Sequence, residues 1–305
     1  MHRVLASRPT ATRILIAVTL YGKHSESGEV NLMISIHLVK INNQSCVMRR
    51  YGSKTDFFID RDVEQENQRR LESVGLAPKL LGINKEQRVE FFEYIPGRAA
   101  SEDDFRDQNI LSKIVRSILS IHSSEITLVT QLNPFRKIEK YELEAKRVNP
   151  SKMENQGIER VHQEVREIEK RIVRLDRPRS LCHNDLNPGN FIMTPTGTVR
   201  IIDWEFAAMG DPLFDLANFL STLRAPSTDF LDEAGEGNVL DTYFEKKGGR
   251  EIVYLYELVA RYLGVLWAVI LEKGSDTNFD YVGYSNAHMQ ICLELMGSAK
   301  APTHP

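Results

Sequence analysis

The stretch that most limits what this chain can fold into is residues 181–218, LCHNDLNPGNFIMTPTGTVRIIDWEFAAMGDPLFDLAN. Asp185 follows His183 and Asn184, and Asn190 comes five residues after it. A turn carrying Pro195 and Gly197 leads into a short apolar run, residues 199–202, which ends in Asp203-Trp204-Glu205. Two acids and an amide on adjoining loops, one just past a buried strand, are a donor set for a magnesium–phosphate site, because magnesium takes hard oxygen ligands. Phosphoryl transfer needs metal beside the phosphates, an acid to take the proton of the attacking hydroxyl, and a cation against the phosphate charge. Asp185 and Asn190 share one loop, so one can face an acceptor while the other meets a metal. Asp203 at the strand's end supplies a second metal ligand. Each piece alone is ordinary, since Asn-Pro-Gly is usually a turn and a strand-end Asp usually a cap. The joint pattern favours the functional reading. His183 reads as a structural member of the loop, and Asp215 is placed to brace it.

Composition narrows the classes. The formal charge of −3 over 305 residues gives no reason to expect a nucleic-acid or membrane-surface partner. Three cysteines, Cys46, Cys182 and Cys292, are odd in number and far apart. They argue against a disulfide framework or a zinc site and fit a reducing compartment, the cytoplasm. The apolar run at 14–20 is too short to span a bilayer and reads as a buried strand rather than a signal peptide. Residues 252–271 approach a spanning length, but Glu257 and Arg261 interrupt them, so a buried core helix is expected.

Along the chain, residues 32–41 and 45–50 read as strands joined at Asn42-Asn43, since Asn tolerates positive φ. Residues 60–74 read as a helix capped by Asp60 and ended by Gly75, with Val63, Asn67, Leu71 and Val74 at helical spacing. Apolar runs at 80–83 and 89–95 follow, the second ending in Pro96-Gly97. Beyond it the pattern turns helical: 105–122, 159–175, 252–271 and 285–296. The fold class expected is α+β, with a small antiparallel sheet plus one helix and then a larger, mainly helical lobe. The divisions are 1–95, 96–298 and a tail at 299–305.

The pattern His-x-Asp-x-x-x-x-Asn followed by a strand-end Asp matches kinase catalytic loops. LCHNDLNPGNFIM with IIDWEFAAMGDPLFDLANF resembles the choline/ethanolamine kinase family, closest to its bacterial choline-kinase-like branch. The likeness extends to Val47-Met48-Arg49-Arg50-Tyr51-Gly52, to Ile59-Asp60-Arg61-Asp62-Val63-Glu64, to Phe92-Glu93-Tyr94-Ile95-Pro96-Gly97-Arg98, to Asn133-Pro134-Phe135-Arg136, and to Phe279-Asp280-Tyr281-Val282-Gly283-Tyr284. The resemblance implies a protein-kinase-like two-lobed fold, ATP and Mg2+ as cofactors, and a small cationic alcohol as substrate. It makes Asp185 the base and Asn190 and Asp203 the metal ligands. It makes Arg49 the phosphate-binding cation with Glu64 as its helix partner, and Glu93, Tyr94 and Ile95 the adenine contacts. Gly28 and Asn31 belong to the matching nucleotide loop. A cationic acceptor calls for aromatic faces and a carboxylate; Trp204, Trp267 and Tyr281 are candidates for the first, Glu205 and Asp215 for the second. The family pattern is broken at Ser27 and Val30 in the nucleotide loop, at Ile34, and at Gly264, where a pocket Trp is usual. Choline or ethanolamine is the acceptor expected, with thiamine, an aminoglycoside, or a non-catalytic nucleotide-binding sensor or scaffold as alternatives. A homodimer is left open.

Overall fold

The computed structural model describes residues 34–225, 228–245, 249–273 and 279–297. The apolar run at 14–20, the nucleotide loop with Gly28 and Asn31, and the tail lie outside the described residues.

Strands β1 (Ile34–Ile41) and β2 (Gln44–Tyr51) form an antiparallel hairpin. Its turn is Asn42-Asn43, with φ of 51° and 65°, the backbone that lets a two-residue turn follow the strand twist. Helix α1 (Arg61–Ser73) starts where Asp60 accepts from the N–H groups of Asp62 and Val63. Gly75, at φ 75°, turns the chain out of it toward β3 (Leu80–Asn84) and β4 (Val89–Glu93). The sheet order is β1-β2-β4-β3. A small antiparallel sheet with one helix is therefore what these residues form.

The buried face of α1 differs from the apolar spacing read in the sequence. Val74 is exposed, and the buried positions are Glu64, Gln65, Asn67, Gln68 and Leu71. Polar side chains serve there because each finds a partner. Gln65 donates to Glu90 at 3.1 Å and Gln68 to the Pro78 carbonyl at 2.6 Å. Asn67 donates to Thr130 and to the Ala207 carbonyl, and accepts from the Val129 N–H. The helix is thus stitched to the sheet on one side and to the helical body on the other.

Past Pro96 the chain forms β5 (Arg98–Ala99). A Cβ on Gly97 would lie 2.6 Å from the Met193 carbonyl oxygen, so the close approach of these backbones requires glycine. The helix expected over 105–122 is two helices, α2 (Glu102–Arg106) and α3 (Gln108–His122). The break falls at Asp107, whose carboxylate caps α3 by accepting from Asn109 and Ile110. Helix α4 (Pro134–Val148), capped by Asn133, and the short α5 (Pro150–Met153) come next. The amphipathic helix expected at 159–175 is α6 (Gln156–Val173), burying Ile158, Val161, Val165, Ile168 and Ile172 and leaving Leu175 exposed. Short strands β6 (Ser180–Cys182), β7 (Phe191–Met193), β8 (Val199–Ile201) and β9 (Ala208–Gly210) carry the motif region. They are followed by α7 (Pro212–Leu223), α8 (Glu233–Phe244), α9 (Arg250–Glu272) and α10 (Tyr281–Gly297).

Helix α9 is the axis of the helical core, packed by α4, α7 and α10. It is long and apolar enough to cross a membrane, yet most of it is buried in the fold. Its mid-helix charges are matched. Arg261 donates twice to Glu257, whose second oxygen meets Arg224, which in turn pairs with Glu236.

Candidate active site

The motif region is one excursion between paired strands. β6 pairs antiparallel with β9, and β7 with β8. Between these pairings run two arms, one with Asp185 and Asn190 and one with Asp203 and Glu205. The arms are bonded across: His183 Nε2 donates to the Ile202 carbonyl at 2.9 Å, Ile202 N donates to the Asn190 carbonyl at 2.9 Å, and Asn184 Nδ2 donates to the Phe206 carbonyl at 3.0 Å. Asn184 and Asp203 hold the left-handed region at φ 63° and 64°. This costs about 1 kcal/mol each in a non-glycine residue, and the surrounding bonds hold it.

Asp215, fully buried at the first turn of α7, fixes the first arm from below. It accepts from the His183 N–H at 2.7 Å, from the Asn184 N–H at 2.8 Å, and from His122 Nε2 at 3.0 Å. With Nε2 as donor, His122 Nδ1 accepts from the Tyr243 hydroxyl at 2.7 Å. His183 is fully buried, and desolvation holds its imidazole below the usual pKa, so it stays neutral.

The Asp185 carboxylate accepts from Asn187 at 2.6 Å and from Asn190 Nδ2 at 3.3 Å. Burial, aided by the Asp203 charge, lifts its pKa to about 7. Asn190 Nδ2 also donates to the Asp185 carbonyl. Its Oδ1, like the second oxygen of Asp203, makes no hydrogen bond among the described residues. An amide oxygen and a carboxylate oxygen without hydrogen bonds, on arms tied by the Ile202 N–H to the Asn190 carbonyl, are donors that suit a hard divalent cation, so the donor set fits magnesium.

Arg49 enters from β2. Its Nη1 donates to Asp203 at 2.8 Å and to Glu205 at 3.4 Å; its Nη2 pairs with Glu64 and, at 2.6 Å, with Glu90. Arg61 completes the cluster, meeting Glu64 at 2.6 Å and Glu205 at 3.2 Å while its guanidinium lies over the Tyr51 ring. Glu205 is held well above the usual carboxylate pKa by burial and by the neighbouring Asp203. The sequence reading missed Glu90. It sits directly opposite Arg49 in the β2–β4 register, a relation visible only once the strands are paired.

A cavity of about 380 Å3 lies under the sheet. Ile36, Leu38 and Val47 form its roof, Ile192, Ile202 and Trp204 its floor, Glu93, Tyr94 and Ile95 one edge, and Arg49 with Asp203 the inner end. The size and the apolar walls with polar groups at one end suit a nucleotide. Arg49, Glu64, Glu93, Tyr94, Ile95, Asp203, Asp185 and Asn190 are thus brought together.

The proposed acceptor residues divide. Trp267 and Tyr281 pack together at 5.5 Å between ring centroids, in a cluster with Phe279 and Tyr284. Trp204 is not with them. It is 4 % exposed, donates Nε1 to the Ile201 carbonyl and packs 4.6 Å from the His183 ring, so it props the loop from beneath. Asp215 is likewise corrected as a substrate carboxylate, because backbone N–H groups and His122 occupy its oxygens out of reach of solvent. Glu205 remains at the cleft, bound by two guanidiniums.

A second cleft, lined by Phe57, Tyr141, Glu205 and Phe206, brings in Lys137 from α4. Its ammonium lies 4.6 Å from the Phe206 ring centroid, within the field of Asp185 and Glu205, and makes no ion pair among the described residues. Desolvation lowers its pKa to about 8. Sequence reading missed it because a lysine 48 positions before Asp185 carries no local signal.

The chain is similar in sequence and fold to known proteins. The probable choline kinase 1 of Arabidopsis thaliana is 26 % identical over 270 residues, covering 81 % of this chain and 78 % of its own. Ethanolamine kinase 2 of Rattus norvegicus is 26 % identical over 287 residues, covering 86 % and 73 %. The crystal structure of choline kinase LicA from Streptococcus pneumoniae superposes with a TM-score of 0.73 at 26 % identity, covering 86 % of this chain and 89 % of that one; LicA has also been solved in complex with AMP. The sequence profile of the choline/ethanolamine kinase family matches residues 23–232. That span takes in β2 with Arg49, the Glu93–Ile95 edge and the whole excursion between β6 and β9, and by it the chain belongs to the choline/ethanolamine kinase family, enzymes that phosphorylate small alcohols.

Proposed function

We propose that this protein transfers the γ-phosphoryl group of ATP, with magnesium, to the hydroxyl of a small cationic alcohol, choline or ethanolamine in the first instance. The observation that carries the reading is the bonding of Asp185 to Asn190 on one arm and the tie of that arm to Ile202, next to Asp203, on the other; burial lifts the Asp185 pKa to about 7. Nucleotide lies in the cavity under the sheet, with adenine against the Glu93–Ile95 edge and phosphates toward Arg49. Asn190 and Asp203 would hold magnesium, which would compensate phosphate charge when bound. Asp185 accepts the proton of the acceptor hydroxyl, and positioning and charge carry most of the rate. The substrates named for the relatives support the acceptor class. The unpaired, buried cysteines are consistent with work in the cytoplasm.

The test is magnesium-dependent ADP release measured against choline, ethanolamine, thiamine and an aminoglycoside. Release with choline or ethanolamine is expected. Nucleotide binding with no acceptor-dependent release would replace the reading with that of a sensor or scaffold.

The catalytic loop from His183 to Asn190 holds no Lys or Arg, and Arg49 is already shared among four carboxylates. Lys137 is therefore assigned to the transferred phosphate. Lys137→Met is expected to lower kcat about tenfold to a hundredfold, with little change in the KM for ATP and partial recovery in Lys137→Arg. An unchanged kcat in Lys137→Met removes the assignment.

A further inference from the structure

The residues between β2 and α1 touch two places at once. Thr55 is 2 % exposed; its hydroxyl donates to the Gly52 carbonyl at 2.7 Å and accepts from Arg61 Nη2 at 2.8 Å. Arg61 Nη1 meets Glu64 at 2.6 Å and Glu205 at 3.2 Å, and both carboxylates also meet Arg49. The Thr55 carbonyl accepts from the Phe58 and Ile59 N–H groups, each at 3.0 Å. Two bonds to one carbonyl close residues 55–59 into a turn. Phe58 is therefore tied to Thr55, and Thr55 through Arg61 to the carboxylates around Arg49.

The far end of the turn docks on the helical body. Phe58 meets Tyr141 of α4 edge-on, with ring centroids 5.4 Å apart. It packs, with Trp267 and Tyr284, on the patch formed by Ala268, Leu271 and Tyr281. Phe57 lies 5.9 Å from the same Tyr141 ring. Lys140 latches it, donating Nζ to the Phe57 carbonyl at 2.7 Å and lying 4.5 Å from the centre of the Phe57 ring. The turn is thus one wall of the second cleft, a cavity of about 590 Å3 that Tyr141, Lys137 and Glu205 also line. Burial raises the Tyr141 and Tyr284 phenols, and the Asp185 charge adds to both, so the rings grouped with Phe58 lie within the field of the proposed base.

We propose that residues 55–61 are a strap that couples the two substrate sites: nucleotide fixes it through Arg61 and Glu205, and Phe58 then completes the wall against which the acceptor alcohol binds. This rests on the phosphotransfer proposed above and deepens it. Arg49 Nη1 is divided between Asp203 at 2.8 Å and Glu205 at 3.4 Å. Phosphate brought against Arg49 competes for the same N–H groups and leaves Arg61 as the partner of Glu205. Out of bulk water that pairing is strong, so it holds Arg61, and with it Thr55 and the docked turn. An alcohol at Asp185 gains the Phe58 face only while the turn is docked, so both ligands favour one state.

The experiment measures the dissociation constants of choline and ethanolamine by titration calorimetry, with the protein alone and with saturating magnesium–ADP, which allows no turnover. The acceptor is expected to bind about fivefold tighter or more with nucleotide present, the lower end of coupling between linked sites, and to tighten ADP by the same factor. Thr55→Val keeps the shape and deletes the hydroxyl that receives Arg61; Phe58→Ala deletes the docked ring. Each should bring the factor to about one, and Phe58→Ala should leave the affinity for ADP alone unchanged. A factor near one in the native protein, or the native factor retained in either variant when circular dichroism shows it folded, overturns the strap. Acceptor-dependent ADP release then leaves the phosphotransfer reading standing. Neither binding of nor transfer to choline or ethanolamine overturns both readings.

Discussion

Replacing Asp185 with alanine lowers kcat by about three orders of magnitude, within the range for loss of a positioned general base, while the melting temperature moves little. The side chain accepts from Asn187 and Asn190, but the bond from Asn190 to the Asp185 carbonyl survives the change. The stability cost is further reduced by linkage. A carboxyl whose folded pKa is lifted to about 7 is disfavoured in the fold as pH rises from its ordinary value of about 3.8 toward 7, so its removal relieves a strain present at neutral pH. The same value sets the activity profile. The base must be unprotonated to accept a proton, so kcat/KM, which follows the free enzyme, should fall as pH drops below about 7. Asp185→Asn keeps the volume and removes the basicity; if it retains more than about a tenth of native kcat, Asp185 is not the base.

The second large effect is on stability. Asp215→Ala is expected to cost about 3–5 kcal/mol, because it leaves several buried N–H donors unpaired at about 1–3 kcal/mol each. It strands the N–H groups of His183 and Asn184 and one nitrogen of His122, all buried. At about 2–4 °C per kcal/mol for a domain of this size, the melting temperature falls by roughly 10 °C. Activity falls as well, because the left-handed turn at Asn184 loses the bonds that hold it. Asp215→Asn keeps one acceptor and should lie between. Scanning calorimetry showing Asp215→Ala within about 2 °C of the native protein would mean the brace is not needed.

What the sequence disclosed followed from how local each cause is. The Asn42-Asn43 turn and the Asp60 cap act within four residues, and both stand where local chemistry puts them. Asp107 is also a local cap, but it lies inside an unbroken apolar pattern that hides the break between α2 and α3. The buried face of α1 was not legible from hydropathy, because its partners, Glu90, Pro78, Thr130 and Ala207, come from three distant segments. Helices α7 and α8 went unread: Asp211-Pro212 looks like a turn although it is a cap followed by the first helical residue, and Gly235 and Gly237 weaken the second pattern. In the candidate site, the grouping of Asp185, Asn190 and Asp203 was legible because one short excursion carries all three. Lys137 and Glu90 were not, since only folding brings them there. Trp204 was read as a binding face because an indole suits a cation equally well from either side of a wall; its side was set by packing on His183.

The clamp between β6 and β9 has a mechanical meaning. Residues 183–207 leave and return at one neck, and the β7–β8 hairpin closes the far end. Asp185 and Asp203 ride on the two arms between these fixed points, tied across by His183, Asn184 and Ile202. Their spacing is a property of the cassette and does not depend on the sheet above. Arg49 belongs to that sheet and reaches Asp203 across the cleft. If the sheet tilts to admit nucleotide, Asp185 and Asp203 keep their separation, and the contact that changes is the grip of Arg49. The cassette is the anvil, and Arg49 is the gauge of how far the cleft has shut.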